Sequence, residues 1–169
     1  MDRIRKLTLL ANFLAIAIVL NIIESAINVI PVPGAKLGFA NVVTLIVIYV
    51  YSFKDGITLT IARVLLVSIL SGKLLGPIFY MSLSGAVCAT LAMGLFKKTN
   101  FFGMLGVSVL GSIFHTIGQI IAGIFVIGSI AVVAYLPIML FLSIPAGILT
   151  GIIARKFYDI WETWHEAIG

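Results

Sequence analysis

Apolar residues run through this chain in six stretches separated by short polar breaks. The stretches cover residues 7–29, 38–51, 57–71, 77–96, 102–127 and 134–158. A helix that crosses a bilayer needs roughly 20 apolar residues. Four stretches reach that length. The second and third fall short, so they either borrow flanking residues or sit inside the bundle, away from lipid. The breaks carry turn chemistry: PVPG, KDG, SGK, KKTN and a short stretch after Gly128. Alternation of period two is absent, which argues against a membrane β-barrel. The pattern predicts an all-α membrane protein, a six-transmembrane-helix bundle forming a single integral membrane domain over residues 1–169.

Composition strengthens this reading. Of 169 residues, 62% are hydrophobic and 10% charged, against about 25% charged in a soluble domain. Mean hydropathy is +1.24. The net charge of +5 points to cytoplasmic loops and anionic membrane lipids rather than to nucleic acid. The single cysteine, Cys88, excludes an intrachain disulfide framework and a thiolate metal cluster. The start MDRIRK followed by an apolar run has the look of a signal peptide, and Ala15–Ala17 mimics a cleavage site. The apolar run continues well past that point, so an uncleaved first helix is expected.

Basic residues set the expected orientation. Arg3, Arg5, Lys6, Lys54, Lys97, Lys98, Arg155 and Lys156 fall on one side of a six-helix topology, and Lys36 and Lys73 on the other. By the positive-inside rule both termini of this multi-pass cell-membrane protein are cytoplasmic. The segment PVPGAKLGFANVVTL, residues 31–45, then contains the first external loop.

Several polar groups lie within the apolar stretches. Glu24 shares a helical face with Asn21 and Asn28. Arg63 lies near the middle of the third stretch, and His115 and Gln119 are one turn apart on the fifth. With Lys36, Asn41 and Thr44 from the elbow, and Lys73, these groups fall mostly in the outer half. Charge at such depth usually faces a bundle interior or a wet cavity. The expected substrate-binding residues are Glu24, Asn28, Lys36, Asn41, Arg63, Lys73, His115 and Gln119. The plainer alternative is that Glu24 and Arg63 pair with each other while His115 and Gln119 hold helices together. The excess of Lys36, Arg63 and Lys73 over Glu24 suggests a ligand with an anionic group, phosphate or carboxylate.

The first helix carries a second pattern. Ala11 and Ala15, in ANFLA, form a small-xxx-small pair roughly 120° from the Asn21–Glu24–Asn28 stripe, at 100° per residue. One face suits close approach of a partner helix and the other a cavity. Ser143, Gly147 and Gly151 have similar spacing and are assigned to internal packing.

Six short helices, the ANFLA pair and an external loop resemble the S component of an energy-coupling factor transporter. PGAKLGFANVVTL resembles the signature of the Gx transporter family, also labelled heptaprenyl diphosphate synthase component I. The resemblance implies capture of a small nutrient or cofactor precursor from outside. It also implies partners, a transmembrane coupling protein and ATPase subunits, with Ala11 and Ala15 as the docking pair.

The residues speak against catalysis by this chain alone. Prenyl elongation needs Mg²⁺ on clustered carboxylates, and the aspartates Asp2, Asp55 and Asp159 are far apart in sequence. There is no phosphate loop of the ATPase type and no H-E-x-x-H pair. Glu162 and His165 occur as one copy of a spacing that di-metal bundles use in duplicate. The stretch DIWETWHE reads instead as an amphipathic end with Trp161 and Trp164 at the interface. No catalytic residue, metal or cofactor is expected. Two function classes remain: a substrate-capturing transport subunit, and a non-catalytic membrane accessory subunit of an isoprenoid (heptaprenyl diphosphate) synthesis or electron-transfer system.

Overall fold

A computed structural model describes residues 3–26, 36 and 38–168, with side chains to residue 164. Among them are six α-helices: α1 (Arg3–Ala26), α2 (Asn41–Val50), α3 (Phe53–Leu70), α4 (Pro77–Lys98), α5 (Met104–Ile127) and α6 (Leu136–Ile168). A 3-10 helix, Ile130–Tyr135, precedes α6. The fold is that of an all-α membrane protein.

Local chemistry sets several boundaries. Ser52 caps α3 by accepting the Asp55 backbone N–H at 3.2 Å, and Asp55 places negative charge at the positive end of the helix dipole. Pro77 occupies the first turn of α4, where its missing N–H costs nothing, and Lys97 and Lys98 complement its C-terminus. α6 continues about ten residues beyond the apolar run, because the polar end remains helical through Trp161 and Trp164.

Helix lengths divide the bundle in two. α1, α4, α5 and the segment from Ile130 to Trp164 are long and apolar enough to cross a membrane. α2 has ten residues, roughly 15 Å at 1.5 Å per residue, or half a hydrocarbon core. Residues 41–48 are all buried, because α2 touches each of the other five helices. It is the axis of the molecule, and α1, α3, α4, α5 and α6 surround it. The second short stretch, α3, carries Lys54, Asp55 and Arg63 and packs between α1, α2 and α4. α2 is enclosed, whereas α3 keeps an exposed apolar face at Ile61, Leu65, Leu66, Ile69 and Leu70.

α2 and α3 run antiparallel and meet at three levels. Asn41 faces Arg63, Thr44 faces Thr60, and Ile48 rests on Gly56. The Thr60 hydroxyl lies 3.0 Å from both Thr44 and Thr90, so one chain of hydroxyls ties α2, α3 and α4. At the end of α2, the Lys97 ammonium donates to the Ile48 carbonyl at 2.7 Å and lies over the Tyr49 ring. The small residues of α6 do serve internal packing. A Cβ on Gly147 would come within 2.7 Å of the Val109 Cα on α5.

The basic residues gathered by the sequence reading come together at one end. Lys6 pairs with Asp55 at 2.8 Å and lies over Tyr51, and Arg5 lies over Trp164. Phe13, Tyr51, Phe157 and Trp161 fill the space between α1, α2 and α6 there. The polar cavity is at the other end of α2.

Candidate functional site: a polar cavity at the head of α2

The elbow reaches α2 through Gly38, whose φ of +86° is left-handed and open to glycine at no steric cost. A Cβ at Gly38 would also lie 2.8 Å from the Asn41 side-chain nitrogen. Two turns of α1 hold this entry in place. Glu24 accepts the Gly38 backbone N–H at 2.5 Å through Oε1. Asn21, buried on the α1 face that also buries Phe13 and Ala17, accepts the Lys36 ammonium at 2.7 Å. From α5, Gln119 Oε1 accepts the Lys36 backbone N–H at 3.4 Å.

Asn41 organises the floor. Its Oδ1 accepts from Arg63 Nη2 at 3.2 Å, and its Nδ2 lies 3.3 Å from His115 Nδ1. A guanidinium has only donors, so the atom facing Arg63 is the amide oxygen. The amide nitrogen therefore faces His115 and donates to Nδ1, which places the imidazole proton on Nε2. Gly85 on α4 leaves the space that His115 and Gln119 occupy; a Cβ there would lie 2.6 Å from Gln119 Cγ.

Asn21, Glu24, Lys36, Gly38, Ala40, Asn41, Arg63, Val64, Ser82 and His115 enclose a cavity of about 10 Å³, close to the least that one water needs. Arg63 is 1% exposed. Its Nε and Nη1 have no hydrogen-bond partner among the described residues, and the same holds for Ser82 Oγ and Gln119 Nε2. Buried polar groups are normally satisfied, so this concentration marks the cavity off from the rest of the interior. Burial lowers the Lys36 ammonium from 10.5 to about 8; Glu24 acts against that shift, while Arg63 and Lys73 add to it.

The expected site residues divide accordingly. Glu24, Lys36, Asn41, Arg63 and His115 line the cavity, and Gln119, outside its lining, accepts the Lys36 backbone N–H. Asn28 lies outside the described residues, as do both prolines and Gly34 of the elbow. Lys73 is a correction: it is exposed on the turn after α3 and does not line the cavity. Thr44, named with these polar groups for its depth but not as a binding residue, joins the hydroxyl chain through Thr60 and Thr90. The plainer alternative, a Glu24–Arg63 pair, does not form. Among the described residues the one ion pair is Lys6–Asp55. Arg63 is held by an amide, because Glu24 turns to the Gly38 backbone. Sequence reasoning missed Ser82, and it placed Asn21 on the polar face without assigning it a role. Ala11 and Ala15 are exposed on α1, opposite the buried Phe13–Ala17–Asn21 face.

Fold and cavity define an all-α membrane protein with a buried, donor-rich polar chamber. By its match to the family profile over residues 13–157, the chain belongs to the heptaprenyl diphosphate synthase component I family. Comparison with curated proteins and with solved structures gives no significant match.

Proposed function

We propose that this chain is a non-catalytic membrane subunit that captures a small solute in the cavity at the head of α2 and acts with partner proteins. The observation that carries the reading is Arg63: a fully buried cation, unpaired by any described carboxylate, with two nitrogens free beside a cavity. Intramembrane charge is costly and typically functional. The described residues contain no group of His, Cys, Asp and Glu suited to a metal, and the chain has no phosphate loop. In this reading the energy for uptake comes from partners, in the manner of an energy-coupling module. The exposed Ala11–Ala15 face is the proposed docking surface for its membrane component. The cavity opens to the external side, with both termini cytoplasmic.

A second reading follows from the family's name. The chain would then be an accessory to a separate catalytic component that makes heptaprenyl diphosphate. Native mass spectrometry of protein purified in mild detergent separates the two. Capture predicts a stoichiometric small molecule, released by Arg63→Gln, and co-purification with ATPase-bearing partners. A ligand-free chain bound to a prenyl-transferring partner would overturn capture.

A further inference from the structure

We propose that the cavity at the head of α2 is a site for the oxyanion head of an acidic ligand, a carboxylate or phosphate group, with Arg63 as its principal donor. This rests on the capture reading for the cavity, but not on any partner or transport step.

The argument is an inventory of donors and acceptors. Arg63 has three nitrogens, and one is engaged, with Asn41 at 3.2 Å. Nε and Nη1 remain without partners among the described residues. Ser82 Oγ, buried on the cavity wall, is equally free. The Lys36 ammonium has three N–H groups and one partner here, Asn21 Oδ1. Against these stands one carboxylate, Glu24, which already takes the Gly38 N–H. Two cations and one carboxylate leave the wall one positive charge in excess. A cation or amine would add to that excess and leave the Arg63 donors bare. An oxyanion supplies the charge and the lone pairs together, in the charge-assisted bonds that Arg63 and Lys36 are built to give.

Size refines the class. A cavity of about 10 Å³ has room for a single oxygen atom, and not for the body of a nutrient. The ligand therefore enters head first, with one oxygen of its head among the donors of Arg63, Ser82 and Lys36. The phosphate or carboxylate can belong to a soluble metabolite or to a membrane-borne amphiphile.

The test uses the full chain in mild detergent at fixed ionic strength. Its melting midpoint is followed while inorganic phosphate, inorganic pyrophosphate, acetate or farnesyl diphosphate is added, with chloride and farnesol as references. A further arm compares phosphatidylcholine nanodiscs with and without phosphatidic acid. The expected result is a saturable rise with at least one oxyanion, weakened about tenfold or more in Arg63→Gln. A response to the small anions identifies a soluble ligand. A response confined to farnesyl diphosphate or phosphatidic acid identifies a membrane-borne one. Should Arg63→Gln fail to fold, Arg63→Lys, which keeps the charge and loses the fork, is expected to weaken binding by a similar factor. No saturable rise beyond chloride and farnesol, or unchanged affinity in the Arg63 variants, overturns the proposal. A neutral molecule found in the cavity by mass spectrometry would sink the oxyanion and leave capture standing. Oxyanion binding without any uptake partner would leave the oxyanion site standing and remove the transport role.

Discussion

Arg63 on α3 donates through Nη2 to Oδ1 of Asn41 on α2, 3.2 Å away. A neutral amide thus holds a buried guanidinium without neutralising it. Asn41→Asp would place a carboxylate where the amide oxygen lies. The variant is expected to keep or raise its melting midpoint in the absence of ligand while losing the response to oxyanions by more than about tenfold. Asn41→Ala should lose both, with a stability cost of about 1–3 kcal/mol from the stranded Arg63 and His115. An Asn41→Asp protein with wild-type oxyanion affinity would show that the charge on Arg63 is not what binds.

Lys36 makes the site pH-dependent in a defined direction. Burial first, then Arg63 and Lys73, lower it from 10.5 to about 8, and Glu24 acts in the opposite sense. Between those values the unfolded chain binds more protons than the fold, so this lysine makes ligand-free stability rise with pH across that window. Oxyanion binding needs the ammonium and should weaken as pH rises through about 8. Lys36→Ala is expected to bind about tenfold more weakly at neutral pH and to show a flat profile. Calorimetry from pH 7 to 9 checks both; a slope that survives in Lys36→Ala would assign it to another group.

The two faces of α1 should separate by mutation. Ala11→Trp or Ala15→Trp places an indole on an exposed face where a partner helix would need close approach. Assembly with a coupling protein should fail while the oxyanion response stays at wild-type strength. Co-purification at normal yield in both variants would remove this face from consideration as a docking surface.

Orientation is open to direct labelling. Lys98 is exposed at the end of α4, whereas its neighbour Lys97 is tied to the Ile48 carbonyl. On a Cys88→Ala background, Lys98→Cys should react with a membrane-impermeant thiol reagent only after the cytoplasmic side is opened. Reaction in intact cells would invert the topology.

Much of the architecture is legible in the sequence because lipid imposes length. Four long apolar runs can only be membrane-length helices, and the two short ones are betrayed by Asn41, Thr44 and Arg63, which lipid would not tolerate. The meeting of Asn41, Arg63 and His115 is legible as shared depth, but their partners are not. Serine on α4 shows why. Ser82 and Ser84 are two residues apart in YMSLSG; Ser84 donates to the Gly118 carbonyl at 2.9 Å, while Ser82 faces the cavity. Nothing in the local pattern separates them, since both lie in a helix whose faces are nearly equally apolar. Lys36 and Lys73 look alike for a similar reason. Each follows an apolar run near a glycine, and only the contacts of Lys36 with Asn21 on α1 and Gln119 on α5 draw it inward.

The burial of α2 on every side bears on how the protein is made. Four of the five helices that cover it follow it along the chain, so α2 leaves the ribosome before most of its shelter exists. A ten-residue helix cannot hold a transmembrane position by itself. Its polar contacts with α3 join residues only 22 and 16 apart, so they are available as soon as α3 emerges. α2 and α3 should therefore enter the membrane as one hairpin, protected together from protease in nascent chains that stop before α4. The arginine that equips the finished cavity is in this view also the partner that lets its floor be inserted, which joins biogenesis and binding in a single pair of side chains.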